Sequence, residues 1–280
     1  MRIVMDSSAN LTAMAHTDFV SVPLKIMIGE QEFTDTAEQD VREMTRAMDA
    51  CTTKTSTACP GCRQWLDAYK GDDTVFAAVL TSKLSGAYSA AVAAANEYME
   101  KDPSRRVFVL DTLTKGPELE LFAEAYEEMI LKGLSFDEIA RKITDYRAHT
   151  HLGFILTSVD NFARNGRVSP ALAKLVHLLD IRIVGRASED GALEPQNKCR
   201  GNKKSLAQVW KNMKDAGYRG GKVRIRHTDN EPIARAVEEM ILAEYPHADV
   251  TVAENRCLCA YYAEHGGLLI GYEDLPWSES

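Results

Sequence analysis

The sequence predicts an α/β protein of two domains, a doubly wound parallel sheet followed by an α/β domain with a mixed sheet. Continuous apolar stretches at residues 74–80 and 107–110 are typical of strands buried on both faces of a parallel sheet. Helical patterns follow these stretches, which gives the strand–helix alternation of such a sheet. In the second half Asp190-Gly191 lies between two predicted strands and indicates a hairpin, hence antiparallel pairing.

The elements of the first half follow from apolar periodicity and from proline. Pro23 interrupts an extended stretch at residues 19–28, which predicts an edge or irregular strand there. Pro60 suits the first position of a helix that includes Trp65. The other predicted elements are a strand at 3–5, a helix around 41–48, a strand at 74–80, a helix at 85–98, a strand at 107–110 and helices at 119–131 and 137–146.

A domain border is expected near residues 158–170, so that the first domain spans 1–160 and the second 161–280. The elements predicted there are a strand at 152–157, a helix at 171–179, strands at 181–184 and 193–198, a helix at 206–213, a strand at 223–227, a helix at 232–245 and strands at 250–252 and 268–272.

Composition is that of a globular protein and excludes several classes of function. With 33 basic and 41 acidic residues the formal net charge is −8, which argues against a nucleic-acid partner. No apolar stretch approaches the roughly 18–20 residues of a membrane helix, so no stable membrane insertion is expected. No signal peptide is expected, and six cysteines are too sparse for a disulfide framework. We therefore expect a cytoplasmic protein.

Two hydroxyl-rich segments are candidates for an anion site. Residues 54–57 precede the Pro60 helix, and residues 81–86 lie between a buried strand and a helix. Ligands of open α/β sheets bind outside the carboxyl ends of the strands, and a helix start offers free N–H groups to an anion. The alternative is that these side chains only cap helices, as Ser and Thr often do.

The sequence resembles the DegV family of bacterial fatty-acid-binding proteins, through motifs that run nearly from end to end. Their order and spacing carry the resemblance more than any single motif. They are Asp6-Ser7-Ser8-Ala9-Asn10-Leu11, Val22-Pro23-Leu24-Lys25-Ile26, Thr55-Ser56, Thr81-Ser82-Lys83-Leu84-Ser85-Gly86-Ala87-Tyr88, Asn165-Gly166-Arg167-Val168, and Asp190-Gly191 followed by Lys198, Arg200, Lys203 and Lys204.

The resemblance implies a noncovalently bound long-chain fatty acid in a tunnel, without catalysis, and therefore no metal ion or cofactor. It also implies presentation of the acid to a separate fatty acid kinase, a step of phospholipid metabolism. The carboxylate would be held by hydroxyls, Thr55 and Ser82 first, with Ser56, Thr81 and Ser85 as neighbours. Less directly implied contacts are Arg167, Arg200 and His265. Candidates for the tunnel wall in the second domain are Leu172, Leu175, Val176 and Leu179.

The sequence departs from the family pattern at two places. Thr57-Ala58-Cys59 stands where the family has Gln-Pro-Ser. Near the C-terminus Glu264 aligns with a family histidine, and His265 follows it. An acid beside a bound carboxylate would repel it, so the position of Glu264 bears directly on the predicted site.

Other chemistry receives weaker support. Cys59-Pro60-Gly61-Cys62 is a C-x-x-C at a helix start, which leaves a thiol redox protein as the alternative function, although no apolar strand precedes it. Cys257 and Cys259 with Cys199 are too few ligands for a typical structural zinc site. A serine hydrolase using Ser82 or Ser85 would need a histidine that the sequence does not identify.

Overall fold

The computed structural model describes residues 1–178 and 181–277, without the side chains of Leu175, His177 and Leu178. The strands are β1 (Arg2–Asp6), β2 (Asp18–Val22), β3 (Lys25–Ile28), β4 (Gln31–Thr34), β5 (Thr55–Ala58), β6 (Thr74–Val79), β7 (Arg106–Asp111), β8 (Thr150–Leu156), β9 (Ile181–Ala187), β10 (Leu193–Arg200), β11 (Val223–His227), β12 (Val250–Glu254) and β13 (Leu268–Glu273). The helices are α1 (Val41–Ala50), α2 (Cys62–Tyr69), α3 (Ala87–Glu100), α4 (Pro117–Leu131), α5 (Phe136–Tyr146), α6 (Asp160–Arg164), α7 (Pro170–Leu178), α8 (Asn202–Asp215), α9 (Glu231–Glu244) and α10 (Cys257–Ala263).

The first sheet is parallel throughout, in the order β2-β1-β6-β7. Residues 3–5 of β1 and 75–79 of β6 are fully buried, because helices cover both faces. One face packs against α2 and α3, and the other against α4 and α5. The sequence prediction of a doubly wound parallel sheet is therefore confirmed, and it rests on the apolar character of these central strands.

The second large sheet is mixed, in the order β10-β9-β8-β13-β11-β12. Only β11 and β12 run parallel, and Asp190-Gly191 lies between β9 and β10 as predicted. Strand β8 pairs with β13 and β9, so the chain passes from one sheet to the other between β7 and β8, ahead of residue 160. Helices α8 and α9 cover one face. Leu172 and Val176 of α7 pack on the other face, whereas Leu179 lies outside the described residues.

A third, small antiparallel sheet, β4-β3-β5, was not predicted. The stretch at 19–28 is not one strand: it divides at Pro23 into β2 of the parallel sheet and β3 of the small sheet. The small sheet packs its apolar face against α1 and α10, through Ile26, Leu258 and Tyr261. The Asp35 carboxylate, just beyond β4, accepts hydrogen bonds from the amides of Cys257 and Leu258 and so caps α10. This cap ties the two halves of the chain together.

Helix α4 lies between the two large sheets. It contacts β6 on one side and β13, β11 and β8 on the other. The approach to β13 requires a glycine, because a Cβ at Gly271 would lie 2.4 Å from the backbone nitrogen of Glu118. Buried ion pairs cross the same interface: Arg226 of β11 pairs with Glu120, and Arg224 pairs with Glu124 at 2.7 Å.

Candidate functional site

The candidate site begins where the carboxyl ends of β1 and β6 meet. The buried Asp6 carboxylate accepts hydrogen bonds from the amides of Leu80, at 2.7 Å, and Ser8, at 3.0 Å. Burial raises the pKa of Asp6 to about 6, although these hydrogen bonds oppose the shift. The loop after β1 is thereby fixed beside the loop after β6, at the edge where ligands of parallel sheets bind.

A cavity of about 290 Å³ opens at this edge, between the two halves of the chain. Its size is just below the range of roughly 300–1,000 Å³ that is typical of ligand pockets. Most lining side chains are apolar or weakly polar, and they come from both halves. They are Ser8, Leu24, Thr57, Ala58, Cys59, Leu80, Leu84, Ser85, Gly86, Lys115, Phe162, Arg167, Leu258, Cys259, Tyr262, Ala263 and Leu269.

The exposed lining residues mark the mouth of the cavity. Ala58, Cys59 and Gly86 are exposed, and a Cβ at Gly86 would lie 3.5 Å from the Cys59 thiol. Leu80, Leu258 and Leu269 are buried and form the inner wall. The cavity therefore runs from an opening between β5 and the start of α3 into a largely apolar interior.

Four half-buried polar side chains line the cavity, Ser85, Thr57, Tyr262 and Arg167. The Ser85 hydroxyl accepts a hydrogen bond from the Ala87 amide at 3.2 Å and so stands at the start of α3. The Thr57 hydroxyl bonds the Tyr262 hydroxyl at 2.8 Å. The Arg167 guanidinium donates to the carbonyl oxygens of Leu84 and Asn165, and it forms no ion pair with any carboxylate in the described part of the chain.

Two buried polar side chains, Lys115 and Ser8, also line the cavity. The Lys115 ammonium has no hydrogen-bond partner among the described residues, whereas the Ser8 hydroxyl lies against the Asp6 carboxylate and lowers its pKa. Burial lowers the pKa of Lys115 to about 7. The positive charge of Arg167 contributes to this lowering.

Of the five predicted hydroxyl residues, only Ser85 lines this cavity. The Thr55 hydroxyl is buried and bonds the Tyr261 hydroxyl at 2.7 Å, behind the cavity wall. Ser56 follows on the opposite face of β5. Thr81 is buried and its hydroxyl accepts from the Lys83 amide, while Ser82 is exposed and donates its amide to Asp111. Thr55 and Ser82 thus have different hydrogen-bond partners, and neither lines the cavity.

Among the residues predicted with less support, Arg167 reaches the cavity and the others do not. Arg200 is exposed at the end of β10. His265 lies on the surface, where its ring bonds Asp49 at 2.8 Å and Asp229 at 2.6 Å, and these acids raise its pKa. Neither residue lines the cavity.

Glu264 does not face the cavity. Its carboxylate accepts from the Asn161 amide at 3.0 Å and from the Ser158 hydroxyl at 2.8 Å, at the start of α6. Burial raises the pKa of Glu264, and these hydrogen bonds oppose the shift. The acid that replaces the family histidine therefore caps a helix and does not repel a ligand in the cavity.

Sequence reasoning missed Ser8 and Lys115 as lining residues, and it did not single out Thr57 within the candidate segment 54–57. Thr57 shares a face of β5 with Thr55, two residues earlier, so strand alternation could have found it. Ser8 and Lys115 follow β1 and β7, whose carboxyl ends lie at the same edge as the end of β6. The rule that located Ser85 applies to both of these loops.

The cysteines give no further site. Cys59 and Cys62 are free thiols, and Cys199, Cys257 and Cys259 are free and buried. Within residues 1–178 and 181–277, no three His, Cys, Asp or Glu side chains are grouped as a metal site would require. A search of the same residues finds no helix with the length and apolar character needed to span a membrane.

Comparisons with known proteins agree with this architecture. A model of the DegV family, described as "Uncharacterised protein, DegV family COG1307", matches residues 1–273. A DegV domain-containing protein of Streptococcus pneumoniae is 39% identical over 276 residues, which cover 97% of this chain and 98% of that protein.

Two solved structures are similar in fold and sequence. A DegV family protein of Eubacterium eligens loaded with heptadecanoic acid has a TM-score of 0.94 and 38% identity, covering 97% of this chain and 99% of that one. The fatty acid kinase (Fak) B3 protein of Streptococcus pneumoniae loaded with linoleic acid has a TM-score of 0.95 and 38% identity, covering 98% and 99%. The cavity lies in a chain that matches these proteins over nearly its whole length, and the chain belongs to the DegV family.

Proposed function

We propose that this protein binds a long-chain fatty acid noncovalently in the cavity between its two halves. The observation that carries the proposal is the cavity itself, apolar inside and lined by an unpaired arginine and a serine hydroxyl. Two relatives that are each 38% identical carry heptadecanoic and linoleic acid, which supports the same class of ligand here.

The apolar interior suits an alkyl tail. Burying a methylene contributes about 0.8 kcal/mol, so the roughly 15 carbons of a C16 tail supply about 12 kcal/mol before ordering costs are subtracted. Leu24, Leu80, Leu258 and Leu269 provide the buried surface for this tail. Most of the affinity therefore comes from the tail, and the polar groups orient the acid.

The carboxylate is proposed to lie against Ser85 and Arg167. Both are half-buried, both line the cavity, and Arg167 forms no ion pair in the described part of the chain. Thr57 adds a third polar group, already bonded to Tyr262. Thr55 and Ser82, expected from the sequence to bind the carboxylate, take other roles in this proposal, because neither lines the cavity.

We further propose that the protein presents its acid to a fatty acid kinase. The similarity to a fatty acid kinase (Fak) B3 protein supports this partner, as does the half-buried position of Ser85 and Arg167 beside an exposed mouth. In that reaction a carboxylate oxygen attacks the γ-phosphorus of ATP and ADP leaves, so the protein supplies binding without chemistry of its own. Nothing in the comparisons favours the redox alternative at Cys59 and Cys62.

Native mass spectrometry of the purified protein tests the binding proposal. We expect a mass increment of a long-chain fatty acid, which disappears on denaturation and is identified in the released lipid. A protein that carries no acid and gains none when incubated with a panel of C14–C20 acids would exclude the proposal. Presentation is tested separately, by adding the loaded protein to a fatty acid kinase and labelled ATP: acyl phosphate is expected, and its absence excludes the kinase role alone.

A further inference from the structure

Lys115 is a buried amine that lines the cavity without a polar partner. The residue is 9% exposed, and its ammonium has no hydrogen-bond acceptor among the described residues. The nitrogen lies 4.1 Å from the centroid of the Phe162 ring, which is a cation–π contact. The ring attracts the positive charge but supplies no acceptor atom for the N–H groups.

Ser8 lines the same interior but has a partner. It is 1% exposed, and its hydroxyl lowers the pKa of the neighbouring Asp6 carboxylate through a hydrogen bond. The Cys259 thiol donates to the Ser8 carbonyl at 3.3 Å. The Lys115 ammonium therefore remains the buried donor of this cavity that has no acceptor in the described chain.

Packing does not account for the Lys115 ammonium. Lys115 directly precedes Gly116 and Pro117 at the start of α4, where its side chain holds no other element through a hydrogen bond or ion pair in the described chain. Burying an amine or hydroxyl without a partner is unfavourable, and an apolar side chain such as methionine would fill the same space without that penalty. A ligand atom that accepts hydrogen bonds removes the penalty.

We propose that the cavity selects a fatty acid whose chain carries an oxygen atom, as a hydroxyl or oxo group, that accepts a hydrogen bond from Lys115. This inference rests on the proposed fatty-acid function and names its substrate class more narrowly. Burial distinguishes the two sites. Ser85 and Arg167 are half-buried and hold the carboxylate in this proposal, whereas Lys115 is buried and meets the chain. A saturated tail would leave the Lys115 ammonium facing methylenes.

Binding of matched ligands tests the proposal. The probes are octadecanoic acid, its mid-chain hydroxy and oxo derivatives, and the C18 dicarboxylic acid, each titrated into lipid-free protein. The native protein is expected to bind the hydroxy or oxo acid at least about tenfold more tightly than octadecanoic acid, as one hydrogen bond to a charged donor provides. Lys115→Met is expected to abolish that preference by binding octadecanoic acid as well or better. Lys83→Met, an exposed lysine near the mouth, is the matched control and is expected to retain it.

Each other outcome is decisive. Equal affinity of the native protein for the plain and oxygenated acids overturns the proposal while leaving fatty-acid binding intact. An equal loss for all acids in Lys115→Met overturns it as well, because the amine then holds the carboxylate. Preference for the dicarboxylic acid over the hydroxy and oxo acids assigns Lys115 to a second carboxylate and also overturns it. If no acid binds the native protein, the proposed function itself fails. Thermal melts establish that both variants are folded before the affinities are compared.

Discussion

The Asp6 carboxylate and the Leu80 amide are hydrogen-bonded at 2.7 Å, which joins the ends of two neighbouring parallel strands. The other carboxylate oxygen accepts from the Ser8 amide. One buried acid therefore positions both loops that line the cavity, and a change at residue 6 acts on stability and on ligand binding together.

Asp6→Asn is expected to destabilise the protein by about 1.5–3 kcal/mol. The asparagine side chain has one acceptor oxygen for the two backbone amides, of Leu80 and Ser8, and it turns its NH₂ group towards one of them. Chemical denaturation near neutral pH measures this loss. Asp18→Asn is the control in the neighbouring strand, where the acid is exposed and pairs with Arg2; a change below about 1 kcal/mol is expected there. Equal, small effects at both positions would contradict the role given to Asp6.

Arg167→Gln is expected to weaken fatty-acid binding roughly tenfold to a hundredfold, because it removes the only guanidinium that lines the cavity in the described chain. Arg200→Gln removes an equal charge from an exposed position outside the cavity and is expected to leave affinity unchanged. Displacement of a fluorescent fatty acid measures both. Equal losses in the two variants would indicate a general effect of charge and not a contact with the carboxylate.

Ser85→Ala and Ser82→Ala form a second matched pair, from the same loop. We expect Ser85→Ala to weaken binding several-fold, as the loss of one hydrogen bond of about 1 kcal/mol predicts. Ser82 is exposed outside the cavity, so its variant should bind as the native protein does. The reverse order of effects, measured by the same displacement titration, would return the carboxylate to the position expected from the sequence.

Lys115→Met is expected to stabilise the lipid-free protein, and more at low pH than at high pH. The folded-state pKa of Lys115 is lowered from 10.5 to about 7, so between these values the unfolded chain binds more protons and native stability rises with pH. Below about pH 7 the native protein must hold a buried ammonium, which the methionine variant lacks. Melting temperatures at about pH 6 and about pH 9 measure the difference. A gain that is independent of pH would show that the amine is solvated.

Glu264→Ala is expected to lower stability by about 0.5–2 kcal/mol without weakening fatty-acid binding, because the carboxylate caps the start of α6 and faces away from the cavity. Parallel denaturation and titration separate the two effects. Tighter binding in this variant would place the negative charge beside the ligand after all.

Much of the fold was predictable because its signals are local. Strands β6 and β7 are continuous apolar segments, and the Asp190-Gly191 turn marks the β9–β10 hairpin. The small sheet was not predictable in this way, because β4 and β5 are short and do not alternate apolar with polar side chains. Gln31, Glu32 and Thr55 are among the polar residues that break the pattern. Helix α10 is apolar at nearly every position, so it shows no helical periodicity.

The site was predictable only as far as strand ends locate it. Ser85 follows from the position of a hydroxyl after a buried strand, and Arg167 from the resemblance to the family. The choice between Thr55 and Thr57 depends on which part of β5 meets the cavity, and that is set by packing against Tyr261 and Tyr262. The strand-end rule places Lys115 at the same edge, but its burial could not be expected, because lysine is seldom buried without a partner.

The most direct test of the account is the titration of a bound acid labelled with ¹³C at its carboxyl carbon. The positive charge of Arg167 favours the carboxylate, so the carboxyl pKa of the acid in the native protein is expected to lie well below that in Arg167→Gln. An identical carboxyl pKa in the native protein and the variant, with the acid bound to both, would contradict the placement of the carboxylate at Arg167.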